Sequence, residues 1–214
     1  MHIYGWTALV LIGCTFTPEA PPPAPPVEVR PTSVILISLD TVRADRLAVY
    51  GGRAKTPNLQ AFAERGTRFE RAIANITETA LSHWGMLTGA LPEVHGNVPA
   101  TGNSRFTGPT LAERLKASGY ATAAFIGGET LSDQSTGLSR GFDLYDDAYE
   151  WDRSDLKRPG TEVAARATGW IAEQTGPYFA FVHFFDAHFP YTPAAPNMEP
   201  KTKPANNEMK ESMM

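Results

Sequence analysis

A chain of 214 residues, 42% hydrophobic and with a formal net charge of -4, holds one well-cored domain and lacks the basic face of a general nucleic-acid binder. A single cysteine excludes an internal disulfide framework and any multi-cysteine metal site. No apolar run reaches the roughly 18 residues of a membrane-spanning helix.

The chain opens on an apolar stretch, Ile3 to Gly13, of signal-peptide length. Leu11-Ile12-Gly13-Cys14 resembles the lipobox of bacterial lipoproteins. That resemblance implies cleavage before Cys14, lipidation of Cys14, and export to the bacterial cell envelope on its periplasmic or surface side. Residues 1–14 are therefore expected to be a lipoprotein signal; the alternative is a frayed apolar terminus with an incidental cysteine. The proline-rich stretch 15–32 follows as a linker, its fixed φ angles and missing amide donors making an extended spacer. Such a tether suits a domain that stands off a membrane by its lipid anchor.

Residues 33–197 carry the pattern of a folded domain. Val34 to Leu39 is a continuous apolar, β-branched run, as in a strand buried on both faces. Thr56-Pro57 opens a helix with Leu59, Phe62 and Ala63 on one side, ending near Gly66. Thr110 and Glu113 form a capping-box pattern for a helix through Leu111 and Leu115 to Gly119. Tyr120 to Ile126 is a second strand and 161–175 a helix with Val163, Ala167, Trp170 and Ile171 on one stripe. Tyr178 to Phe185 is a third buried strand. Alternating strand and helix predicts an α/β fold, a mostly parallel sheet flanked by helices on both faces. Residues 198–214 are polar and aperiodic, a solvated tail.

Asp40 follows the first strand directly, and ligands of open α/β sheets collect at the carboxyl ends of strands. A carboxylate there suits a metal, or simply caps the next turn. Residues 80–87 read as a short helix with Thr79 at its N-terminus. Free amides and the helix dipole there favour an alkoxide, and a metal makes such a hydroxyl a competent nucleophile. The plain alternative is an N-cap threonine. His188, just after the third strand, is suited to give a proton or a positive contact to an oxyanion. His183, inside that strand, reads as a satisfied core histidine.

In order and spacing, these segments resemble the sulfatase family of the alkaline phosphatase superfamily. The anchors are Leu39-Asp40-Thr41-Val42-Arg43-Ala44-Asp45, Tyr50-Gly51, Thr56-Pro57-Asn58-Leu59, Thr79-Ala80-Leu81-Ser82-His83, Leu87-Thr88-Gly89, His95-Gly96, Gly141-Phe142-Asp143 and Asp186-Ala187-His188-Phe189-Pro190-Tyr191. The resemblance implies an alkaline phosphatase-like fold in which Asp40 and Thr79 hold a divalent metal (calcium, manganese, magnesium or zinc). It implies Thr79, His83 and His188 as catalytic residues, with Ser82 and His188 binding the substrate. A threonine cannot become formylglycine, the hydrated aldehyde with which many sulfatases expel sulfate, so Thr79 is similar instead to the nucleophile of phospho-group transferases. The Gly-Lys-x-His element of many relatives is missing, with Phe125-Ile126-Gly127-Gly128-Glu129 near its place. The family's second metal-binding segment, an Asp beside His or Asn before a glycine, normally lies downstream of His188, so the domain is expected to be truncated at its C-terminus.

The expected function is a metal-dependent hydrolase or transferase of small-molecule or envelope-associated sulfate or phosphate esters. It is exported and lipid-anchored, with no nucleic-acid partner and with activity impaired by the truncation. The alternative is a non-catalytic, envelope-tethered remnant of such an enzyme.

Overall fold

The computed structural model of the chain describes residues 32–95, 106–149 and 156–189. The expected signal with Cys14, the linker apart from Thr32, and the 198–214 tail lie outside these residues.

Among the described residues four strands make one parallel sheet in the order β1-β4-β2-β3: β1 Val34–Leu39, β2 Ala121–Ile126, β3 Leu144–Asp146 and β4 Tyr178–Phe184. The helices are α1 Pro57–Ala63, α2 Thr79–Thr88, α3 Pro92–His95, α4 Leu111–Ala117, α5 Asp133–Thr136 and α6 Gly160–Ala172. The inner strands bury both faces, and their alternation divides the core in two. Ala124, Ile126, Phe179 and Phe181 pack against Trp84 and Leu87 of α2 and Ala112 of α4. Ala123, Phe125, Ala180 and Val182 pack against Val163 and Ala167 of α6. Helices therefore cover both faces, as the α/β pattern predicts.

Local chemistry fixes the helix ends. Thr110 Oγ1 accepts from Glu113 N at 3.1 Å while Thr110 N donates to Glu113 Oε2 at 2.8 Å, the predicted capping box. The chain leaves α4 through Gly119, whose φ of 85° favours glycine.

Three expectations change. Among the described residues β1 is an edge strand, not one buried on both faces: Ile35 is 47% and Ile37 58% exposed. An apolar, β-branched run specifies a strand without specifying how many neighbours cover it. Helix α1 buries none of its residues, and Phe62 is 71% exposed. β3 was not anticipated, because three residues are too short to show a period. Among the described residues no helix is long and apolar enough to cross a membrane.

Trp84 is fully buried and donates its Nε1–H to Thr136 O at 3.0 Å. Trp84→Ala is therefore expected to cost about 3–5 kcal/mol in chemical denaturation, and Phe62→Ala no more than about 0.5 kcal/mol. Similar losses from the two would overturn this division between core and surface.

Candidate active site

The register of β1 against β4 sets the site. Ser38 lies opposite His183 and Leu39 opposite Phe184, and Asp40 N continues the ladder to Phe184 O at 2.9 Å. The chain then leaves the sheet in a turn closed by Val42 N donating to Leu39 O at 3.4 Å. Thr41 holds φ at 57° in that turn, an uncommon state for a β-branched residue that costs about 1–2 kcal/mol. Strain is thus stored immediately beside the carboxylate.

Helix α2 supplies the facing wall. Its N-cap is Glu78, so Thr79 is the first helical residue. One turn on, His83 Nδ1 donates to Thr79 O at 2.7 Å. That bond fixes the tautomer, and His83 Nε2 accepts the Ser38 hydroxyl at 2.8 Å. His183 Nε2 lies 3.3 Å from Asp40 Oδ2, and the His83 and His183 rings meet edge-on at 5.1 Å. Asp40, His83 and His183 are all buried and together form a group able to hold a metal ion.

Burial is the largest influence on Asp40 and by itself would raise its pKa. The hydrogen bond and charge of His183, the charge of His83 and the hydrogen-bonding Thr79 hydroxyl outweigh it and hold the carboxyl below its usual range. Burial, reinforced by His183, lowers His83 to about 4. At neutral pH the site is therefore an ionised carboxylate facing a neutral imidazole.

Of the sequence-predicted residues, Asp40, Thr79 and His83 come together here. Ser82 is half-buried and lines a groove with Ile73, Met86 and Pro92. His188 is also half-buried; its ring stacks on Phe185 at 4.2 Å and Nδ1 donates to Phe189 O at 2.7 Å. Sequence reasoning underrated His183, a buried histidine whose Nδ1 has no hydrogen-bond partner. The signal was a polar residue breaking each of two apolar strands, Ser38 and His183, visible as a pair only once the register is known. Beside His188, the buried Lys157 donates Nζ to His188 O at 3.3 Å. The structure explains why no lysine stands at 127 or 128. A Cβ at 127 would meet His183 O at 2.5 Å, and one at 128 would meet the Phe185 ring at 2.6 Å.

The residues present fit a divalent metal: an ionised carboxylate, a hydroxyl at a helix start, and two imidazoles, one of which meets the carboxylate only at 3.3 Å.

A family model described as Sulfatase matches residues 32–214. An N-acetylgalactosamine-6-O-sulfatase from Bacteroides thetaiotaomicron is 33% identical over 96 residues, 42% of this chain and 19% of that protein. Among solved structures, one in complex with its substrate D-glucosamine-2-N,6-O-disulfate matches with a TM-score of 0.65 and 19% identity, over 77% of this chain and 36% of the other. A protein in the alkaline phosphatase superfamily from Vibrio parahaemolyticus matches with a TM-score of 0.61 and 18% identity, over 86% and 46%. The fold is thus that of the alkaline phosphatase superfamily, and the chain spans less than half the length of each of these three proteins.

The depressed His83 pKa has a signed consequence for the metal-free chain. Between the ordinary value of 6.5 and about 4, the unfolded chain binds a proton at this residue and the folded chain does not. Stability is therefore expected to fall as pH drops through that window, by about 3 kcal/mol in total. Asp40 acts only below that window: its lowered pKa contributes stability that is lost as pH falls past 3.8. Urea denaturation in chelator should show the His83 slope, and His83→Gln should flatten it; an unchanged slope in the variant would refute the assignment.

Proposed function

The chain belongs to the sulfatase family, and from that membership we propose that it carries the nucleophile side of a metal-dependent site for sulfate or phosphate esters, with Thr79 Oγ1 as the attacking atom. The observation that carries this is the meeting of the Thr79 hydroxyl with the ionised Asp40 carboxylate, where the start of α2 faces the end of β1. A divalent cation held by Asp40 and Thr79 would lower the hydroxyl's pKa and offset charge on the ester oxygens.

The residues then divide the work. Thr79 Oγ1 bonds to phosphorus or sulfur as the bond to the ester oxygen breaks, and the alcohol leaves with a proton. A threonine ester remains; water attacks it, restores the hydroxyl and releases sulfate or phosphate, or, from a diester, the phosphate monoester. The amides at the start of α2 face developing negative charge. His188 commits Nδ1–H to the Phe189 carbonyl, which leaves Nε2 as the ring nitrogen available to the substrate. His83, bonded at both ring nitrogens and neutral at physiological pH, positions its neighbours instead of moving protons. Ser82, beside the nucleophile, contributes to substrate binding.

Thr79 favours phosphate esters over sulfate esters. A hydrated aldehyde expels sulfate by collapse of its own carbon centre, whereas a threonine ester is cleared only by attack on the central atom. The same proposal tethers the domain to the cell envelope through acylated Cys14, supported by the lipobox-like sequence alone.

In an active form of the protein, an aryl phosphate diester is expected to turn over faster than the matching aryl sulfate. Thr79→Ala should remove turnover of both by at least about a thousandfold, and mass spectrometry should find the trapped ester on Thr79. Turnover unaffected by Thr79→Ala would rule out this nucleophile.

A further inference from the structure

We infer that His183 and His83 join Asp40 as protein ligands of the metal, making a nitrogen-rich site for a borderline transition-metal dication such as zinc in place of an all-oxygen calcium site. This rests on the metal-dependent reading above and specifies its ligands.

One ligand atom from each of Asp40, His83 and His183 lies within 4.8 Å of the other two. The separation of Asp40 Oδ2 from His183 Nε2 is 3.3 Å. Two ligands of a tetrahedral zinc with bonds of about 2.0–2.1 Å stand about 3.3–3.4 Å apart, the separation of the Asp40–His183 pair. Three protein ligands leave a fourth position, and Thr79 is the adjacent oxygen.

The histidines are prepared for this role in different ways. His83 gives its Nδ1 proton to the Thr79 carbonyl, the outer bond that orients a ligating imidazole and leaves Nε2 with its lone pair. That lone pair now accepts only the Ser38 hydroxyl, a single rotatable O–H. The His183 ring is wedged against His83, Phe181 and Phe185 at centroid distances of 5.1, 6.4 and 5.6 Å. Its Nδ1 is buried without a partner, while Nε2 makes only the long contact to Asp40. Its Nε2, aimed at the Asp40 carboxylate with no short hydrogen bond, is the ring nitrogen placed to meet a metal. Two imidazoles and one carboxylate suit zinc and its neighbours, whereas calcium takes six to eight oxygens.

The test uses the 214-residue chain stripped with chelator and then titrated with zinc or calcium. One zinc per chain is expected, with X-ray absorption at the zinc edge showing two imidazoles, and calcium should not displace it. His183→Ala and His83→Ala should each weaken zinc about a hundredfold or more, as should Asp40→Ala. The absorption spectrum comes from the unaltered chain, so it decides the point even if a variant fails to fold. An all-oxygen shell, with zinc lost only in Asp40→Ala, would overturn histidine ligation and leave the Asp40-centred site standing. No zinc uptake, or full uptake by Asp40→Ala, would overturn both.

Discussion

The parallel pairing of β1 with β4 is the constraint on which the site depends. It joins residues about 145 positions apart, from Val34 against Phe179 to Leu39 against Phe184. Side chains alternate along a strand, so a slip of β1 by one residue would put Ser38 on the face opposite His183 and carry Asp40 away from it. No local signal enforces this register. It is held by the β4 core, where Phe179 and Phe181 lock into one helical layer and Ala180 and Val182 into the other. The site is thus a consequence of core packing on the neighbouring strand.

This explains what was legible in the sequence and what was not. Thr110 with Glu113, the stripe of α6 and the apolar run of β4 are written in neighbouring residues, and each appears where its pattern predicts. Asp40 and Thr79 stand out in the sequence because each sits at the end of an element, a position that sequence can mark. His183 was judged by its own strand and taken for core. Its partners, Ser38, His83 and Asp40, come from two other elements, and no one-dimensional window contains them. The exposure of β1 was hidden for a related reason: composition tells which surfaces want covering, and only topology tells which are covered.

β1 also shows the limit of self-sufficiency in the described residues. Val34, Ile35, Ile37 and Leu39 are 38–58% exposed, on a strand hydrogen-bonded along one side only. Such an edge is a liability that proteins ordinarily blunt with charge, proline or a covering element. None of these occurs between Val34 and Leu39, so the strand has the character of an interior element with one flank open. The chain covers 36% and 46% of the two matched structures, so both of those chains are longer than this one.

Electrostatics ties the open edge back to the chemistry. A buried carboxylate is costly unless its charge is shared, and here the nearest charge-sharing groups are imidazoles, a hydroxyl and a helix start. With His83 neutral, helix α2 offers the negative charge on Asp40 no full positive partner. On that side the site is short of positive charge, and the low dielectric around it magnifies the shortage. A divalent cation would supply what the protein withholds, and would be held more firmly the less water reached it. The burial that makes Asp40 expensive in the metal-free chain is therefore the same property that would make it an effective ligand.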